Sequence, residues 1–152
     1  MDKLYRFSPI KSEEQIRKAF SYIALELDKL SKKVIGKSLH IDTLKIFAHY
    51  PEEYNFVHKY ISKLGQEAPF NSKTSFYVKV QQNIEGFDIK YLGIRIADPY
   101  RLHVGCGDYY ESKDFENLNK QANINPLMRV FKEDMLEIWH PDFDILGYIV
   151  KK

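Results

Sequence analysis

Cysteine is almost missing from this chain: Cys106 is the only one in 152 residues. That excludes an intrachain disulfide framework and any zinc cluster built on several thiolates. No apolar run approaches the roughly 20 residues that span a bilayer, and the opening MDKLYRFSP lacks the apolar stretch of a signal peptide. The expectation is a cytoplasmic protein without a membrane partner. Charge of one sign is also lacking, since 23 Lys and Arg face 21 Asp and Glu for a net +2. A strongly basic nucleic-acid binder is therefore not indicated. No Pro/Gly-rich linker, low-complexity tract or solenoid period breaks the chain, so residues 1–152 read as a single domain. P-loop, GxGxxG, HExxH and Ser-His-Asp patterns are absent too.

Aromatic residues are plentiful, at 14% of the chain, enough for a bulky core or a pocket wall with polar Tyr tips. Three helices are predicted. Residues 12–35 open on a Ser12/Gln15 capping box, with Glu13 and Glu14 at the positive end. Ile16, Ala19, Phe20, Ile23, Leu27, Leu30 and Val34 then form one stripe. Pro51 starts a second helix that ends near Gly65, and residues 112–122 make a third. Strands are expected at 39–48, 76–80, 91–97, 102–109, 128–131, 135–139 and 145–150. Helices over mostly antiparallel strands give an α+β fold.

The order strand, helix, then further strands occurs twice, once within residues 39–98 and again within 99–152, with residues 1–38 as a helical extension. Strand parity assigns the side chains to faces. If Leu44 and Ile46 pack under the helices, the opposite face receives Thr43, Lys45 and Phe47. It also receives Tyr77 and Lys79, then Tyr91, Gly93 and Arg95, then His103, Gly105 and Gly107, with Glu137 and Trp139. Cys106, alternating with those glycines, is expected to pack under the helices. On such a face cations suit an anion, aromatics suit a flat or apolar body, and strand glycines leave room for a ligand. A solvent-exposed, charge-alternating sheet face would show the same pattern.

Three segments carry a resemblance. HIDTLKIFAHYPEEYNFVHKYISKLG (40–65), LHVGCGDYYESKDFENLNK (102–120) and MLEIWHPDFDILGYIV (135–150) resemble the opening, second-module and closing segments of the vicinal-oxygen-chelate superfamily, the glyoxalase and bleomycin-resistance fold. The resemblance implies two βαβββ modules curling a mostly antiparallel sheet around a cavity, preceded here by an extra N-terminal helix. The family's His, His and Glu metal ligands would fall at Thr43, His103 and Gly147, of which only His103 is a ligand type. A His103–Glu137 pair alone would make a weak metal site, so no cofactor is expected and a divalent metal is disfavoured.

The resulting expectation is a small-molecule-binding protein of this fold without the standard metal site. Thr43, Lys45, Tyr77, Lys79, Tyr91, Arg95 and Trp139 would line the ligand. His103 and Glu137 would be the acid/base pair if lyase-, isomerase- or dioxygenase-type chemistry occurs. The alternative is a protein-interaction or homo-oligomeric scaffold module, with homodimerisation left open.

Overall fold

A computed structural model describes residues 5–151. The N-terminal helix α1 (Glu13–Val34) starts where expected: Ser12 Oγ accepts the Gln15 N–H at 3.1 Å, and the Gln15 side chain accepts the Lys11 N–H at 2.7 Å. Its stripe of Ile16, Ala19, Phe20, Ile23, Leu27 and Leu30 is fully buried. Burying each large aliphatic side chain is worth about 1.5–3 kcal/mol, which fixes the helix on the sheet.

The remaining elements are β1 (His40–Phe47), α2 (Pro51–Ser62), β2 (Gln66–Glu67), β3 (Ser75–Ile84), β4 (Phe87–Arg95), β5 (Gly105–Glu111), α3 (Phe115–Gln121), β6 (Met128–Lys132), β7 (Met135–Ile138) and β8 (Ile145–Lys151). They form an α+β structure with one open eight-stranded sheet, ordered β2-β3-β4-β1-β5-β8-β7-β6. β4 returns parallel to β1 and β8 returns parallel to β5, while β1 and β5 pair antiparallel at the centre. β2 was not expected. The β3–β4 hairpin also extends further than the alternation suggested, turning through Glu85 and Gly86, both at positive φ.

The helices pack on one face, over Leu44, Ile46, Val78, Leu92, Ile94, Leu136 and Ile149. Tyr109 belongs to that side, because its hydroxyl donates to the Leu27 carbonyl of α1. No helix among the described residues is long and apolar enough to cross a membrane.

The register corrects one strand of the sequence reading. Gly105 pairs with Ile46 and Gly107 with Leu44, so both glycines lie under α1, and Cys106, opposite Lys45, lies on the other face. A Cβ on Gly105 would stand 2.5 Å from Ile23 Cδ1. One on Gly107 would meet Leu27 Cδ1 and stand 2.5 Å from the Thr43 carbonyl oxygen. These glycines let α1 approach the sheet; they do not clear space for a ligand. His103 precedes β5 and is not on a strand. Gly147 also faces the helices, where a Cβ would come 2.5 Å from the Tyr109 ring and 3.0 Å from Ile138.

Candidate functional site

The face turned away from the helices is nevertheless buried at its centre. Phe47 is 2% exposed, Cys106 3%, Thr43 4% and Glu137 8%. A flat one-sided sheet would leave such residues in water.

The cross-strand pairs set out what this face presents. Thr43 sits between Tyr91 and Asp108, and Lys45 between Gly93 and Cys106. Tyr77 lies beyond Gly93, where a Cβ would stand 2.6 Å from its ring. The missing side chain thus allows the Tyr77 ring to lie across β4 towards Lys45. Lys45 Nζ is 5.1 Å from that ring's centre and donates to Ser75 Oγ at 3.2 Å. Burial pulls the Lys45 ammonium down, but Cys106, Tyr77 and Asp108 around it outweigh that, and its pKa is raised. Phe70 packs against both Tyr77 and Tyr91, with ring centres 5.2 and 5.0 Å away.

On the second half, Glu137 accepts from Arg129 Nε at 2.7 Å and from the Tyr148 hydroxyl at 2.9 Å. Burial, reinforced by Cys106 and Glu137, pushes the Tyr148 phenol far up, so it stays a donor. Both Glu137 oxygens are therefore engaged away from His103. His103 itself is half-buried, and that burial lowers its pKa despite Asp144 and Glu137 within electrostatic reach. The expected acid/base pair is not joined by a hydrogen bond here.

Lys79 and Tyr91 border a separate opening of about 580 Å³ at the His40 end of β1, shared with His40, Asp42, Lys90 and Tyr110. Trp139 is 40% exposed and donates through Nε1 to the Pro126 carbonyl at 3.3 Å. No group of three or more metal-ligating His, Cys, Asp or Glu side chains occurs among the described residues.

No protein-family model and no curated protein matches the chain. A solved structure described as "Structural Genomics, Protein EC4020" is similar to it, with a TM-score of 0.66. The identity is 13%, over 100% of this chain and 92% of that one. That likeness concerns the fold alone.

Sequence reasoning left Arg101, Cys106, Asp108, Arg129 and Tyr148 out of the site. Cys106, Asp108 and Tyr148 were missed through the inverted face of β5 and the choice of Gly147 on β8. Arg101 lies in the irregular segment between β4 and β5, to which strand parity does not apply. Its guanidinium stands 4.8 Å over the Phe47 ring and 3.6 Å from Asp98. Burial, then the neighbouring Arg95, lowers its pKa. A signal did exist for β5: Ile23 and Leu27, one turn apart on α1, need small residues opposite them.

A second polar cluster, Ser8, His49 and Glu53, has the composition of a hydrolytic triad but not its geometry. His49 Nε2 is 2.9 Å from the Arg101 carbonyl, which only accepts, so Nε2 carries the proton and Nδ1 accepts from Ser8 Oγ at 2.7 Å. Glu53 lies 3.9 Å from the ring and instead accepts the backbone N–H groups of His49 at 2.6 Å and Ile10 at 2.7 Å. The cluster ties the N-terminal segment to α2 and to the Arg101 backbone; it does not activate a nucleophile.

Proposed function

We propose that this chain is a divergent protein of the vicinal-oxygen-chelate type, built of two βαβββ modules. In this reading it binds a small anionic or aromatic ligand in a cavity on the concave side of its sheet, without the standard metal site. The observation that carries this reading is the buried yet polar face opposite the helices. It holds Lys45, Arg95, Cys106 and Glu137 where no helix among the described residues covers them. Such an arrangement costs stability unless its groups are paired, which favours a binding role over simple packing. The parallel return of β4 to β1 and of β8 to β5 supports the module assignment. The family positions Thr43, His103 and Gly147 supply no metal triad, and Lys45 beside Cys106 makes a cation-filled centre.

Thermal-shift measurement with small carboxylates, phosphates and neutral aromatics tests this. A ligand at 100 times its Kd should stabilise the protein by about 2.7 kcal/mol, and Lys45→Gln should weaken that response. If no compound shifts the transition, or the shift ignores Lys45→Gln, the binding reading fails.

Exposed apolar side chains favour a second reading, that of an interaction module. Tyr100 is 89% exposed, Leu102 85% and Ile124 84%, and Val130 and Phe131 lie on the edge strand β6. A concentration-dependent dimer in sedimentation that is lost in Leu102→Glu would support it.

A further inference from the structure

Two buried guanidinium Nε donors on the side of the sheet away from the helices make no hydrogen bond. Arg95 Nε and Arg101 Nε are both shielded from solvent, and neither makes a hydrogen bond. The two side chains converge on one place. Arg95 is the cross-strand neighbour of Phe47 at the end of β1, and the Arg101 guanidinium lies 4.8 Å above that same Phe47 ring. Among the described residues Arg101 has a single carboxylate contact, Asp98 at 3.6 Å, and no ion pair involves Arg95. An unmatched buried charged donor is costly, and two side by side also repel, so the arrangement makes physical sense with an oxyanion between them.

We propose that Arg95 and Arg101 form an oxyanion subsite that takes the carboxylate of a singly charged organic acid, each guanidinium donating through its Nε–H, with the Phe47 ring beneath. This rests on the binding reading above and adds the ligand's charged group.

The charge count selects a monoanion. Arg129 pairs with Glu137 at 2.7 Å and Arg101 stands 3.6 Å from Asp98, while Lys45 lies opposite Cys106, next to Asp108 on β5, and Arg95 lies opposite Phe47. That is four cations (Lys45, Arg95, Arg101, Arg129) against three carboxylates (Asp98, Asp108, Glu137), an excess of one positive charge. One carboxylate neutralises it, whereas a phosphate dianion would overshoot. A guanidinium fork also matches the planar carboxylate. Arg95 is fixed on β4, while Arg101 is on the irregular segment that follows, so a shift of Arg101 gives a ligand access. The Arg101 backbone carbonyl, held by His49, anchors that segment.

The test uses benzoate, benzyl alcohol and inorganic phosphate with the full chain. Side-chain Nε–H resonances of Arg95 and Arg101 should shift and gain exchange protection with benzoate. Arg95→Gln and Arg101→Gln should each weaken benzoate binding at least about tenfold, while Lys79→Gln, at the separate opening, should not. Without ligand, each glutamine variant should unfold at or above the wild-type temperature, because a like-charge contact is gone. Failure of the variants to fold would contradict that and overturn the proposal. Benzoate stabilisation that is indifferent to both substitutions, or matched by benzyl alcohol, would remove the subsite but leave the cavity reading standing. Tighter binding of phosphate than of benzoate would overturn the monoanion assignment. No binding of any of the three would refute both readings.

Discussion

Replacing Gly107 by alanine should destabilise the protein, although Gly→Ala at a compatible strand position ordinarily does the reverse. The ordinary gain is about 0.4–1 kcal/mol, from restricting the unfolded chain. The new methyl, however, would have to stand 2.5 Å from the Thr43 carbonyl oxygen of the paired strand, with Leu27 Cδ1 pressed against it. A leucine methyl can rotate away, but a ladder carbonyl cannot without moving β1. Overpacking of this kind costs about 1–3 kcal/mol, so the net loss is about 1–2 kcal/mol. For a chain of this size that lowers Tm by about 2–8 °C. Urea and thermal unfolding measure it directly. Leu27→Ala alone should cost about 2–5 kcal/mol, and adding it to Gly107→Ala should cost less than the sum, because one of the two clashes disappears. The opposite placement of Gly107, on the face away from the helices, predicts unchanged or higher stability for Gly107→Ala and strict additivity with Leu27→Ala. Either result would refute the packing described for β5.

Cys106 should resist alkylation in the folded protein. Burial pushes its thiol from 9.0 up to about 11, so at pH 8 the thiolate fraction alone falls about 100-fold, and 3% exposure blocks the reagent further. Iodoacetamide labelling as fast in native buffer as in urea would contradict this placement. Burial also lowers His49 and His103 from the ordinary 6.5. The unfolded chain then binds more protons than the folded one just below that value. Their stabilising contribution is complete above about pH 6.5 and is lost as pH falls through the window down to their folded values. Urea midpoints should decline over that window, and imidazole NMR should show His49 as the Nε2–H tautomer titrating below 6.5; a higher value would contradict the Ser8–His49–Arg101 arrangement.

The helices were legible because each follows a rule that acts locally. The Ser12 cap, the three-and-four stripe of α1, and Pro51 at the start of α2 need no knowledge of the rest of the chain. Parity was equally reliable for β1 and β4, where β-branched and leucine side chains mark the core face and leave Lys45 and Arg95 opposite. β2 escaped because two residues carry no period.

β5 shows why alternation alone cannot assign a face. In Gly105-Cys106-Gly107 neither parity class is obviously apolar, and a glycine fits both beside a ligand and beneath a closely approaching helix. What decides between these is Ile23 and Leu27, some eighty residues away in sequence. Tyr109 could have tipped the balance, since two residues beyond Gly107 it shares that face, and its hydroxyl finds a partner on α1. Moving Cys106 to the face away from the helices changes the chemistry there. The centre becomes a protonated thiol beside Lys45 instead of a histidine beside glycine-lined space. The buried Nε donors that make no hydrogen bond there belong to Arg95, which parity found, and to Arg101, which belongs to no strand. The part of the site least legible in the sequence is therefore contributed by an irregular segment, where Arg101 is directed by the Phe47 ring and Asp98, and by no local period, and its backbone is held by His49.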